Sequence, residues 1–142
     1  MSADTARGLV FGALVIHGLG HGGALGAHIW MALRPRDPTG GWQAARSWLL
    51  PALPAATATP IAGAFWIVAM LGFVVAALSF WGIGLPGEAW RSVAIGSAIV
   101  SLVGITLFFG TWPPFNTLAA LAVNIAVLVS LLWLRWPAQA AT

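Results

Sequence analysis

Residues 61–85 read IAGAFWIVAMLGFVVAALSFWGIGL, an uninterrupted run without a single charged residue. A helix that crosses the hydrocarbon core of a bilayer needs about 20 predominantly apolar residues. Pro60 precedes the run and Pro86-Gly87 follows it. Proline is tolerated in the first turn of a helix and ends the helix elsewhere. The run therefore predicts a transmembrane helix, and it decides the fold class.

One further apolar segment precedes this run and two follow it, and a proline comes soon after each of the three. They cover residues 8–33, 92–112 and 115–136. Spanning β-strands would show short alternating patterns rather than continuous apolar runs. We therefore predict an all-α integral membrane protein, a bundle of four transmembrane helices that forms a single domain over residues 1–142.

The composition supports a membrane location. Hydrophobic residues make up 60% of the chain and charged residues only 6%, whereas a soluble domain carries about 25% charged residues. We expect a multi-pass protein of a bacterial cytoplasmic membrane. The chain has no cysteine, which excludes disulfides, thiolate metal ligands and iron–sulfur clusters. The arginines are scattered and form no basic patch, so we expect no nucleic-acid partner.

The long connection over residues 34–60 and the interfacial residues leave two questions open. Residues 41–50 can be wound as a short interfacial helix with one polar side, and an irregular loop is an equal alternative. Orientation is also undecided, because arginines on the two sides tie at three each: Arg7, Arg91 and Arg135 against Arg34, Arg36 and Arg46.

Tryptophans near the predicted span ends suggest an aromatic belt: Trp30, Trp81, Trp90, Trp112, Trp133 and Trp136. Trp66 is less terminal and is expected inside.

The histidines of the chain all lie in the first apolar segment. They are His17, His21 and His28, and offsets of 4 and 11 residues place them within about 40° of one another on a helix. Ionisable side chains inside a membrane are costly and mark functional sites, and neutral imidazole binds Zn, Cu, Fe or Ni. We predict His17, His21 and His28 as metal ligands, and His17 and His21 with Asn124 as residues that bind haem or another cofactor such as a quinone.

The rest of the chain offers no complete ligand set for a metal. Asp4, Asp37 and Glu88, the acids of the sequence, are predicted near or outside the interfaces. A metal site would need ligands from a cofactor, water or a second chain. In the alternative interpretation the histidines hydrogen-bond within the bundle to Ser, Thr, Asn or backbone carbonyls, and Asn124 is the partner we expect first. Ser97 and Ser101, which share a face of the third helix, are further polar groups. A proton relay or ligand pocket is also open.

Glycines surround the histidines. Gly18, Gly22 and Gly26 form small-xxx-small pairs on a face about 100° or more from His17. Small residues let a second helix approach closely, and they also leave room for a flat ligand beside the imidazoles.

Short motifs are spread over the predicted helices: His17-Gly18-Leu19-Gly20-His21, Gly63-Ala64-Phe65-Trp66, Trp112-Pro113 and Asn124. The layout resembles small four-span bacterial membrane proteins that are loosely called DoxX-like. The resemblance implies a fold and a membrane location, and it implies no established activity.

Three functions follow as hypotheses. The first is a binding or redox module that presents the histidines to a metal, haem or quinone. The second is a non-catalytic accessory subunit of a larger membrane complex, or a homo-oligomer, that packs through its glycine-rich first helix. The third is a small transporter. No nucleophile–base–acid set is visible, and the sequence assigns no enzymatic reaction.

Overall fold

The computed structural model of the chain describes residues 2–33 and 41–136, and helices dominate both ranges. α1 covers Ala3–Leu33, α2 covers Ala55–Phe80, and α3 covers Ala89–Leu107. α4 covers Pro114–Leu128 and continues directly into a short π-helix, Val129–Trp133. No strand occurs in the two described ranges. The predicted all-α, four-helix architecture is confirmed.

All four helices are long and apolar enough to cross a membrane, so the chain has the form of a multi-pass membrane protein. Many large apolar side chains point outward, among them Leu71 at 53% and Ile125 at 54% exposure. Such a surface would be costly in water but is well solvated by lipid tails.

The helix bounds differ from the predicted spans mainly in the second helix. α2 begins at Ala55, upstream of the predicted residue 61, and contains Pro60. The missing N–H of Pro60 costs only the hydrogen bond to the carbonyl of Ala56 near the helix start, where loss of one bond is tolerated. α1 and α3 also begin earlier than predicted, at Ala3 and Ala89, and α3 ends at Leu107 instead of residue 112. Gly110, with φ +85°, lies in the turn that follows α3.

We call the end of the bundle that holds the segment before α2 and the α3–α4 turn the loop end, and the opposite end the terminal end. The loop end contains a core built around Trp66, Ile105, Phe108 and Trp112. The terminal end contains a second core, whose largest members are Leu14, Phe73, Trp90 and Leu131.

Residues 41–50 form no helix, so the irregular alternative is correct for this segment. The backbone N–H of Gln43 donates to the carbonyl of Thr111 over 2.9 Å, and the indole N–H of Trp48 donates to the carbonyl of Thr106. Ala45 is fully buried. Because these hydrogen bonds join residues 41–50 to the end of α3 and the α3–α4 turn, the segment lies against the loop end of the bundle. Arg34 and Arg36, used in the orientation count, lie outside the described residues.

The aromatic belt is only partly as predicted. Trp30, Trp81, Trp133 and Trp136 are exposed, whereas Trp90 and Trp112 are buried. Trp42, from the segment before α2, lies 6.2 Å from Trp112 between ring centroids. Trp112 is therefore covered by the loop instead of facing the membrane interface. Trp66 is buried as expected.

Candidate functional site

His17 and His21 lie on adjacent turns of α1 and face into the bundle. Their ring centroids are 5.0 Å apart, and the rings meet edge to face at 75°. His21 is only 1% exposed, and His17 is partly buried. The helical spacing predicted from the sequence thus brings these two imidazoles into direct contact.

A chain of hydrogen bonds joins the two histidines through α3 and α4. His17 Nε2 lies 3.0 Å from Asn124 Oδ1, and Asn124 Nδ2 donates to Ser101 Oγ over 2.7 Å. Ser101 Oγ lies 3.0 Å from His21 Nε2. The chain therefore runs from α1 to α4, then to α3, and back to α1. We call His17, Asn124, Ser101 and His21 the polar chain.

The amide of Asn124 sets the direction of its own two bonds in the polar chain. An amide oxygen only accepts, so His17 Nε2 carries the proton and donates to it. Ser101 Oγ accepts from the Asn124 amide. A hydroxyl has one hydrogen and two lone pairs, so Ser101 can either donate to His21 Nε2 or accept from it. The neutral ring of His17 therefore has its proton on Nε2, whereas the bond to Ser101 is compatible with either tautomer of His21.

Aromatic rings enclose His21. Phe73 lies parallel to it at 6.1 Å between centroids, Trp66 lies nearly parallel at 6.0 Å, and Trp112 is tilted at 5.3 Å. Nδ1 of His21 and the indole nitrogens of Trp66 and Trp112 are buried without a hydrogen-bond partner among the described residues. His21 thus lies in a closed aromatic box that leaves no room for a bulky ligand at its ring.

The third histidine does not join the other two. His28 Nδ1 donates to the carbonyl of Ala24 over 2.9 Å, a bond within α1. Across the described ranges, no three His, Cys, Asp or Glu side chains come together closely enough to hold a metal ion. The predicted set of His17, His21 and His28 is therefore not assembled around one point. The Nε2 atoms of His17 and His21 are also engaged with Asn124 and Ser101. Metal or haem binding by these histidines therefore stays a prediction.

A groove of about 380 Å³ opens between α1 and α4 towards the terminal end. Its walls are almost entirely apolar, and Ser130 is the residue with a side-chain hydroxyl among them. The lining residues are Leu9, Val10, Ala13, Leu14, Trp90, Val123, Ala126, Val127, Ser130, Leu131 and Trp136. The π-helix supplies Ser130 and Leu131, and π-helical turns occur frequently at functional sites.

The inner end of the groove lies next to the polar chain. Ala13 precedes His17 by one helical turn on α1, and Val123 is the neighbour of Asn124 on α4. α1 and α4 make little backbone contact with each other, and the His17–Asn124 hydrogen bond crosses the gap between them. The groove thus ends about one helical turn from His17, and neither His17 nor Asn124 lines it.

No family model, curated protein or solved structure matches this chain. The resemblance to DoxX-like proteins remains a prediction. Its motif residues nevertheless come together in space, since the rings of Trp66 and Trp112 pack on His21 and Asn124 bonds to His17.

Sequence reasoning found one link of the polar chain and missed others. The expected contact between Asn124 and a histidine is confirmed, and so is the expectation that the histidines hydrogen-bond within the bundle. Ser101 was grouped with Ser97 by its helical face, but Ser97 donates to the carbonyl of Val93 instead. The groove was missed because it depends on how far apart α1 and α4 lie, which no periodicity in the sequence reports.

Proposed function

We propose that this protein is a membrane-embedded binding module for a small lipid-soluble molecule, held between α1 and α4 with its polar head at His17. Of the predicted ligands, a molecule of the quinone–quinol class agrees best with this apolar groove. The observation that carries the proposal is the apolar groove whose inner end lies one turn from His17. A bacterial cytoplasmic membrane, the location we propose, contains such molecules in its hydrocarbon core.

The size and chemistry of the groove support this function. Ligand sites are typically about 300–1,000 Å³ in volume, mostly apolar, with few polar groups that fix orientation. The groove has about 380 Å³ and apolar walls, and the polar chain provides the orienting group. Because it lies between two helices with little mutual contact, a ligand can enter sideways from the bilayer.

The test is to fill the groove without touching the polar chain. Ala126 lines the groove, and Ala126→Leu places a larger side chain there. Ala122 is exposed on the same helix one turn away and does not line the groove, so Ala122→Leu is a matched control. Binding of duroquinone and duroquinol, tetramethylated ring compounds that differ in oxidation state, is measured in nanodiscs against protein-free nanodiscs. We expect at least one probe to bind the wild type and Ala122→Leu, and neither to bind Ala126→Leu. Binding that survives in Ala126→Leu, or no binding to the wild type, contradicts the proposal.

A second candidate function is that of an accessory subunit, and the outer face of α1 favours it. Gly18 and Gly22 pack against α2 inside the bundle, since a Cβ on either would contact Met70. In contrast, a Cβ on Gly8, Gly12, Gly23 or Gly26 would meet nothing within 4 Å, and these four glycines share one helical face within about 60°. Small residues on a lipid-facing surface allow a further helix to approach closely.

The subunit hypothesis is tested by cross-linking in native membranes. Gly12→Leu and Gly23→Leu add bulk to the outer face of α1 and should abolish cross-links to a partner or a second copy. Gly96→Leu, at an open position on α3, is the control and should leave them intact. Unchanged cross-links in all three variants would count against this function.

A further inference from the structure

We infer that the molecule bound in the groove carries a hydroxyl group, which donates a hydrogen bond to Nδ1 of His17. This inference rests on the proposed function, because it names the chemical class of ligand that the same groove accepts. The inference distinguishes a ligand whose polar group donates a hydrogen bond from a ligand of similar size whose polar group only accepts one.

The tautomer of His17 is the first step of the argument. His17 Nε2 lies 3.0 Å from Asn124 Oδ1, and an amide oxygen only accepts. Nε2 therefore holds the proton of the neutral ring, and Nδ1 has a free lone pair. Nδ1 of this ring is therefore a hydrogen-bond acceptor, and a ketone or ether oxygen, which also only accepts, forms no hydrogen bond with it.

The second step is that Nδ1 of His17 remains available. Among the described residues, Asn124 is the polar partner of the ring, and it bonds to Nε2, so no described residue makes a hydrogen bond to Nδ1. The ring is also only partly buried. The corresponding nitrogen of His21 is fully enclosed by aromatic rings. Of these two imidazoles, His17 is the one that is partly exposed, and it lies one helical turn from Ala13, which lines the groove.

The third step is the polarity of the groove itself. Its inner half is lined by Ala13, Leu14 and Val123, none of which offers a side-chain hydrogen bond. An ionised head there would be desolvated without a countercharge, which is strongly unfavourable. The fitting class is a neutral hydroxyl on an apolar body. Two sources share this chemistry: a quinol or other phenol, and a long-chain alcohol.

The experiment compares pairs of probes in which one member has a hydroxyl group and the other has only oxygen atoms that accept hydrogen bonds. Binding of duroquinol and duroquinone to the protein in nanodiscs is measured under anaerobic conditions, together with dodecanol and dodecyl methyl ether. We expect the hydroxyl member of at least one pair to bind roughly tenfold more tightly, the ratio expected for one additional hydrogen bond. Preference within the ring pair identifies a phenolic ligand, and preference within the chain pair identifies an aliphatic alcohol.

Two histidine variants test whether His17 causes this preference. His17→Phe keeps a ring but removes the acceptor, so both members of a pair should bind equally. His28→Phe makes the same change on the same helix, away from the groove, and should retain the preference. His17→Gln keeps one donor and one acceptor, and it serves as the folded comparison should His17→Phe prove unstable; we expect it to retain part of the preference.

The outcomes separate the two proposals. If neither pair binds the wild type, or binding survives Ala126→Leu, the proposed function fails. If both members bind equally, or the quinone and the ether bind more tightly, the groove is a binding site but the hydroxyl inference is overturned. A preference that persists in His17→Phe also overturns it.

Discussion

The two sides of α1 meet their neighbours in opposite ways. Towards α2, Gly18 lies so close to Met70 and Phe73 that a Cβ on it would approach them to 3.1–3.2 Å. Towards α4, Ala13 and Ala126 line a groove of about 380 Å³. We call these the closed side and the open side of the bundle. α2 and α3 continue the closed side, since Gly104 of α3 lies directly against Phe65 and Trp66.

The difference shows what holds helices together where lipid is the solvent. Lipid tails are as apolar as leucine, so helices associate through close packing of small residues and through interhelical hydrogen bonds. The closed side uses small residues. The open side instead has the His17–Asn124 hydrogen bond across a gap that packing has not closed. The proposed ligand site uses this combination of a polar bond and an unfilled apolar space.

The largest expected effect comes from breaking the closed side. In Gly104→Ala, the new Cβ would lie 2.8 Å from Phe65 Cβ and 2.9 Å from Trp66. Because α2 or α3 must shift, we expect the free energy of unfolding in mixed micelles to fall by about 1–3 kcal/mol. Gly96→Ala lies on the same helix with nothing within 4 Å and should be neutral or stabilising by up to about 1 kcal/mol. Equal effects of the two changes would show that α2 and α3 are not packed as described.

The next effect comes from removing the centre of the polar chain. Asn124→Leu removes the partner of the His17 N–H and one of the two partners of the buried Ser101 hydroxyl, which keeps His21. We expect a loss of about 1–2 kcal/mol in the free energy of unfolding. Asn116→Leu replaces an exposed asparagine of the same helix and should change stability by less than about 0.5 kcal/mol. An Asn124→Leu variant as stable as the wild type would mean that the polar chain contributes no stability.

A double-mutant cycle isolates the bond on the open side. His17→Phe and Asn124→Leu, measured singly and together, should show a coupling energy of about 0.6 kcal/mol, the average for hydrogen bonds between membrane helices. The pair His28→Phe and Asn124→Leu has no shared contact and should be additive. Additivity of the first pair would show that His17 and Asn124 do not interact.

The smallest effect on stability is expected from filling the groove. Ala126→Leu adds apolar volume to an open space, so the free energy of unfolding should change by less than about 0.5 kcal/mol, although probe binding is lost. A large destabilisation would show that the open side is already packed. Ala122→Leu again provides the comparison, in the same mixed micelles.

The sequence predicts the fold more completely than the site. Charge-free runs such as residues 61–85 are sufficient to predict the helices, because the bilayer restricts what such a run can do. The pairing of His17 and His21 follows from their spacing, and Asn124 was expected as a partner because it is a lone amide in the middle of a span. The burial of Trp112 was missed because it depends on a loop, residues 41–54, that has no periodicity.

The His17–Asn124 bond of the polar chain, with its fixed direction, is the central claim, and nitrogen NMR on protein with isotope-labelled histidine in nanodiscs tests it most directly. The measurement reports which ring nitrogen of each histidine carries the proton, and His17→Phe and His21→Phe assign the signals. The bond to Asn124 Oδ1 predicts that His17 carries its proton on Nε2, whichever nitrogen of His21 is protonated. A proton on Nδ1 of His17 would contradict the direction of this bond and the acceptor that His17 presents to the groove.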